Sequence, residues 1–513
     1  MIFIDGKNLT IHQVVEVSKA GTKVKLSNKA TENILKSQAW VDQISKSNRP
    51  VYGINTGFGI FSDKQITQKD IAHLNRNLIL SHAVGTGPEF PSEITRAAML
   101  IRCNTLASGY SGIRPHLIEN LLLMLNKDVI PCVPSQGSLG SSGDLAPLSH
   151  LALVLTTDDK DLDEESGYAL FQGERMTGKQ AMVKAQIPRE ILGPKEGLAI
   201  TNGATFSAGV AALTCSLAEI LLNSAEVALA MSLEALLGTS TAFDERLNRI
   251  RNQKGQMYVA QRIRDLTKDS TLLNAAGRVQ DAYSLRCAPQ VQGPARDTLW
   301  FIQKLITREI NAVTDNPLIF GPGEAISGGN FHGEIVGMTM DYLKIALSEV
   351  SAISERRIFQ LTDNKMNADL PPMLVDNLSA AGLNSGMMMP QYTAASLVLE
   401  NQHMSTPDSI NSLPTSGGKE DHNANSLTAA RHAYQVAINT AHVLAVEMYS
   451  AARGLDIRLK ENPELKLGKG VQQAYQNIRD KVPYQPGDAW WAPEIEKVKK
   501  IVLEGDLAFS NYS

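Results

Sequence analysis

Three small residues, Ser141-Ser142-Gly143, stand directly before an acid and a helix-forming run, Asp144-Leu-Ala-Pro-Leu-Ser-His150. Gly143 has no side chain, so its backbone nitrogen can approach the carbonyl carbon of Ser141 closely. Ring closure with loss of water, followed by loss of the Ser142 hydroxyl, leaves an exocyclic methylene conjugated to two carbonyls. That product is a strong electrophile made from the chain itself. A helix N-terminus behind it adds positive potential where negative charge develops. The same segment also reads as a glycine-rich turn feeding a helix, with Asp144 as N-cap, Pro147 in the first turn and an apolar stripe after it. Other chemical templates are missing. The run Gly137–Gly143 is followed by Asp144 instead of the Lys-Ser/Thr of a phosphate loop, and neither GxSxG nor HExxH occurs. His332 and Glu334 lie close in sequence, but a metal needs three or four convergent ligands, so none is expected.

The elements that must hold this segment are mostly helical. From Asn202 onward, Leu213, Leu217, Leu221, Ala225 and Leu229 recur at four-residue spacing, with Ile220, Val227 and Met231 widening the apolar face. Long helices are predicted over roughly 204–237, 294–313, 333–361 and 426–454. Before them, two extended pieces (Met1–Asp5 and Thr22–Leu26) bracket an amphipathic helix after Thr10, and glycine-rich loops fall at 52–59 and 131–143. The expected fold is mostly α: a small α+β N-terminal portion, 1–203, carrying both loops, and a long central helical bundle, 204–513. The linker-like stretches Asn462–Gly470 and Val482–Pro493 predict a loosely attached C-terminal end.

Composition narrows the class. With 513 residues, 43% hydrophobic and 20% charged, the chain can bury a sizeable core and is no disordered segment. A net charge of −4 argues against a dedicated nucleic-acid or anionic-membrane surface. The four cysteines form no CxxC pair, which predicts reduced thiols and a cytoplasmic setting. The N-terminus lacks the charged and apolar regions of a signal peptide. No window reaches about 18 uninterrupted apolar residues, so no spanning helix is expected.

Several separated motifs accompany the Ser-Ser-Gly segment: Tyr52-Gly-Ile-Asn-Thr-Gly-Phe-Gly59, Lys195-Glu-Gly-Leu-Ala-Ile-Thr-Asn-Gly203, Gln280-Asp-Ala-Tyr-Ser-Leu-Arg-Cys287, Thr314-Asp-Asn-Pro317 and Ser327-Gly-Gly-Asn-Phe-His-Gly333. This ordered series, covering nearly the whole chain, resembles the aromatic amino acid ammonia-lyases and aminomutases. The resemblance implies a 4-methylidene-imidazol-5-one (MIO) cofactor formed from Ser141-Ser142-Gly143, with no metal or nucleotide. The family usually has Ala where Ser141 stands; that side chain is not consumed in cyclisation, so the cofactor is expected to form. By the same resemblance Asp144 assists cyclisation and Tyr52 removes the β-proton of the substrate. A phenol has a pKa of about 10, so Tyr52 needs a positive neighbourhood to act as phenolate near neutrality. Tyr283 and Asn202 are implied to contact cofactor and substrate amine, and Phe331 to stand beside the cofactor, with Asn330 and Gln280 as polar neighbours. Gln280, Tyr283 and Arg286 recur every three residues and would share one helix face. Arg286 suits a bidentate clamp on the substrate carboxylate. The resemblance further implies a homotetramer with shared sites, which helices apolar on every side would suit.

The side-chain pocket decides the substrate. Ser81-His82 resembles the Ser-His of histidine ammonia-lyases, and Glu420 matches the Glu those enzymes place near the imidazole. A buried polar pocket rejects an apolar substrate by up to ~10⁴-fold, because its own groups would be left unpaired. His82 with Glu420 therefore favours L-histidine, which would give trans-urocanate. Tyrosine-selective relatives also use a His here, and Asn423-Ala-Asn-Ser426 departs from the Val-Ser-Met usual in histidine ammonia-lyases. A tyrosine or phenylalanine ammonia-lyase and a 2,3-aminomutase stay open.

Overall fold

The computed structural model describes residues 1–505 other than 48, 377, 378 and 380. Helices dominate, and the strands are short pieces paired in ribbons of two or three. The predicted long tracts fold as Thr205–Ala235, Ala288–Glu309, Glu334–Thr362 and Ser426–Glu461. Two compact units are assembled from interleaved stretches: unit 1 from 1–216, 303–341 and 407–431, unit 2 from 217–302, 342–406 and 432–513. Residues 1–203 lie wholly within unit 1, whereas 204–513 contributes to both.

In unit 1, strand Ile2–Ile4 pairs parallel to Val24–Leu26 around the helix Ile11–Ser18. Thr10 and Gln13 close a capping box at that helix's start, satisfying two otherwise orphaned amides. Helix Ser92–Ala107 is buried from Ile94 onward, carrying Arg96 and Arg102 inside with it. Helix Leu145–Leu155, which follows the Ser-Ser-Gly loop, is buried along nearly all of its length. Its apolar faces fix the end of the loop that precedes them.

Unit 2 buries charge in pairs. Glu447 accepts from Arg357 Nη2 at 2.8 Å, Ser232 Oγ at 2.7 Å and Ser354 Oγ at 2.6 Å. Glu226 accepts from Arg262 at 3.1 Å and Arg296 at 3.0 Å. Buried carboxylates of this kind persist because each is paired and hydrogen-bonded. Contrary to the count of uninterrupted apolar residues, one helix among those described, Thr205–Ala235, is long and apolar enough to cross a membrane. Most of its apolar stretch is buried within the protein, and Glu226 and Ser232 on it are the partnered groups just described.

The C-terminal end is not loosely attached. Gly468 N donates to Glu234 Oε1 at 2.9 Å, and Arg453 donates to the carbonyls of Gln485 at 2.8 Å and Gly487 at 3.2 Å. Asp376 receives the Tyr484 hydroxyl at 3.1 Å. Proline and glycine mark these stretches as non-helical, yet their free backbone groups are what the buried side chains bind. All four cysteines are free.

Candidate active site

The Ser-Ser-Gly loop is shaped by backbone contacts that tolerate glycine alone. Gly143 has φ +78°, and a Cβ there would lie 2.0 Å from Gly203 N. Gly203 has φ +125°, where a Cβ would meet the Thr314 carbonyl oxygen at 2.3 Å. The two glycines pair as a parallel bridge, and Asp144 N donates to Gly203 O at 2.8 Å. L side chains are strained at such φ values and would not fit besides.

Asp144 does not cap its own helix, as the sequence suggested. Its carboxylate instead accepts from Ser207 N at 2.8 Å, in the first turn of Thr205–Ala235, and from the hydroxyls of Ser207 at 3.0 Å and Ser138 at 2.8 Å. The longer helix supplies the free amide, and two serines make the alternative better satisfied. Burial pushes the Asp144 carboxyl above its ordinary range, while these three donors pull it down.

Ser142, Tyr52, His82, Asn202 and Glu420 line one cavity of about 800 Å³ in unit 1. Phe58, Leu78, Leu145 and Leu198 form its apolar wall. A second cavity of about 670 Å³ shares Tyr52, Ser142, Asn202 and Glu420, and adds Ser141, Phe331 and His332. The elements place each residue differently. Tyr52 opens the glycine-rich loop, and His82 is the last residue of helix Ile71–His82. Asn202 follows helix Glu196–Thr201, and Glu420 closes a hairpin from Thr415.

Their electrostatics are defined by burial. Burial lowers the His82 imidazole below its ordinary value, with the Leu78 backbone and Glu420 pulling it back up, so the ring is neutral near pH 7. Ser81 Oγ lies 3.0 Å from His82 Nδ1. Burial and Glu420 raise the Tyr52 phenol, against the lowering by a Gly59 backbone bond. That direction is the reverse of what a phenolate base needs. Asn202 Oδ1 is buried with no hydrogen-bond partner.

The remaining expected residues lie elsewhere. Asn330 is exposed and lines neither cavity. Gln280, Tyr283 and Arg286 belong to unit 2 and are absent from both linings. They do not share a helix face, because the helical turn there is Tyr283–Arg286 and Gln280 precedes it. Asp281 accounts for this: its carboxylate takes the Thr239 amide at 2.6 Å and hydroxyl at 2.9 Å, holding the chain extended before the turn. Arg286 stacks its guanidinium over the Tyr283 ring, 4.6 Å from the centroid.

Sequence reasoning missed the supports. Lys195 and Asp315, both fully buried, pair at 2.7 Å and so join two of the quoted motifs. Burial lowers the Lys195 ammonium, with Asp315 pulling it up. Arg102, fully buried, donates to the carbonyls of Asn202 and Thr314. Opposite charges inside separate motifs were the available signal for the first pair; nothing in the sequence marked Arg102.

The loop's residues fit a self-formed electrophile. Ser142 lines the cavity with its hydroxyl on Glu420, Gly143 has no room for a side chain, and Asn202, whose buried Oδ1 has no partner, lines the same cavity. No cluster of three metal-ligating side chains occurs among the described residues.

Comparison with known proteins places this geometry in a family. Residues 9–480 match the family model described as aromatic amino acid lyase. A histidine ammonia-lyase of Caldanaerobacter subterraneus subsp. tengcongensis is 46% identical over 484 residues, covering 94% of this chain and 92% of that protein. The crystal structure of histidine ammonia-lyase from Trypanosoma cruzi matches with TM-score 0.89 at 34% identity, covering 99% of this chain and 94% of that one. Tyrosine aminomutase from Streptomyces globisporus matches with TM-score 0.91 at 33% identity, covering 99% and 97%. From its glycine-locked loop to the length of these matches, the chain is a carbon–nitrogen lyase belonging to the aromatic amino acid lyase family.

Proposed function

We propose that the protein eliminates ammonia from L-histidine to give trans-urocanate, using an MIO electrophile formed from Ser141, Ser142 and Gly143. The observation that carries this reading is the grouping of His82 and Glu420 with Ser142 around one cavity. With Nδ1 engaged by Ser81, the His82 ring has Nε2 left for a substrate, and Glu420 offers acceptors, so the pocket complements an imidazole and leaves a phenyl ring unmatched. When formed, MIO supplies the electrophile that turns the substrate amine into a better leaving group. Asn202, with an unpaired oxygen on the cavity wall, suits a contact to the substrate amine. Phe331 stands beside the loop in the adjoining cavity. Asp144, held by Ser207 and Ser138, braces the loop for cyclisation.

Tyr52 is the base in this reading; Lys64 and Lys419 line its two cavities, yet burial still raises the phenol, so a further cation comes from a second copy of the chain. Arg286 is the candidate cation, with Tyr283 and Gln280 as the polar groups that would accompany it, since none of the three lines the cavity of its own chain. We therefore infer a homotetramer with shared sites, acting in the cytoplasm, with residues 1–203 as the electrophile-bearing portion. The test is incubation with L-histidine, L-tyrosine and L-phenylalanine, following both unsaturated acid and β-amino acid. Urocanate from histidine alone is expected. A β-amino acid as main product, as from an aminomutase, would overturn the lyase reading.

A further inference from the structure

The Ser142 hydroxyl is met by a side chain 278 positions away: Ser142 Oγ donates to Glu420 Oε1 at 2.5 Å. Glu420 is itself held, because its Oε2 accepts from Thr415 Oγ1 at 3.1 Å and its carbonyl from Thr415 N at 2.8 Å. Further ties fix this segment against the loop. Ala424 N donates to Ser141 Oγ at 3.1 Å, and Ser426 occupies the space that a Cβ on Gly140 would need. Ser141, the departure from the family's usual Ala, thus uses its hydroxyl to hold the Glu420 strand in register with Ser142.

Electrophile formation has two unlike halves. Ring closure joins Gly143 N to the Ser141 carbonyl carbon and expels that oxygen as water, with the amide protons of Gly143 and Ser142. The Ser142 Cα–H is then flanked by C=N and C=O and is acidic. The hydroxyl becomes the difficult partner, since bulk water has a pKa of about 15.7 and hydroxide leaves poorly. An acid in contact with Oγ removes that difficulty.

We propose that Glu420, besides facing the substrate, is the general acid of the second dehydration. Glu420, which accepts the Ser142 hydroxyl before the step, takes up a proton from solvent and passes it to Ser142 Oγ, the Cβ–Oγ bond breaks and water leaves. The Cα–H electron pair forms the new double bond, and the Cα proton goes to solvent, so the exchange with solvent balances. This rests on the reading that Ser141–Gly143 cyclise.

The test is intact-mass measurement on the full chain, followed over time after expression, for wild type, Glu420→Gln and Glu420→Asp. The Gln variant is expected to accumulate protein lighter by one water, with the second loss slowed by ~10²–10⁴-fold, the usual scale of general acid catalysis. Aspartate, which keeps an acid, is expected to recover part of the rate. A Gln variant that loses both waters as fast as wild type would overturn the proposal, as would one that loses neither. Wild type that retains both waters would instead sink the cyclisation reading beneath it. Wild type lacking both waters but producing no urocanate would sink the substrate assignment and leave this one standing.

Discussion

At the scale of a single residue, Ser142 and its neighbours show what a sequence can and cannot disclose. Its proposed role could be read because cyclisation needs contiguous residues of fixed type, and Ser141-Ser142-Gly143 supplies them in order. His82 and Glu420 were brought to one pocket only through the family resemblance, and both line the same cavity. Arg102, Thr415 and Ser207 were invisible: Arg102 binds a carbonyl 212 positions away, which any residue type could offer, while Thr415 and Ser207 donate to carboxylates 5 and 63 positions away. Ser142→Ala removes the hydroxyl that must leave. Activity on histidine is expected to fall by roughly 10⁴-fold or more, as deletion of a covalent catalytic group does elsewhere. The folded chain should show unchanged helicity by circular dichroism, and retained activity would contradict the assignment.

Among the elements, the long helices were predictable, most of their ends to within a few residues, and the attachment of the C-terminal stretches was not. The four-residue apolar spacing that marks Thr205–Ala235 reflects burial, which sequence periodicity reports directly. The C-terminal attachment turns on single side chains, such as Glu234 reaching Gly468, and leaves no periodic trace. Burial raises the Glu234 carboxyl from 4.5 to about 8. A folded-state pKa raised above the unfolded value gives stability that is complete below 4.5 and lost as pH climbs through about 8. Glu234→Gln should flatten that slope, on the order of a few kcal/mol between pH 5 and 9. Urea unfolding of both proteins at the two pH values checks this, and parallel losses would count against it.

For the whole molecule, the raised Tyr52 phenol and the exposed apolar side chains of unit 2 point the same way. Tyr342, Ile345 and Phe359 on helix Glu334–Thr362 are exposed, as are Met389, Tyr392 and Leu399 on Met388–Met404. In the proposed homotetramer these exposed side chains are candidates for the faces between copies. If sites are shared, Ser142→Ala and Arg286→Ala chains are each inactive but complement one another. Co-expression of the two should restore histidine ammonia-lyase activity well above either variant alone, and a mixture as inactive as its parents would refute sharing.

The contacts around the loop also impose an order on synthesis. Arg102 bridges carbonyls at 202 and 314, while Ser141 and Ser142 reach 424 and 420. A chain still emerging from the ribosome has its serines long before these partners, and domains fold only once their segments are available. The polypeptide thus acts as its own timer. Under the proposed cyclisation, the reactive methylene would wait until the last fifth of the chain arrives, so an unfinished protein would carry an inert serine that cellular thiols cannot attack.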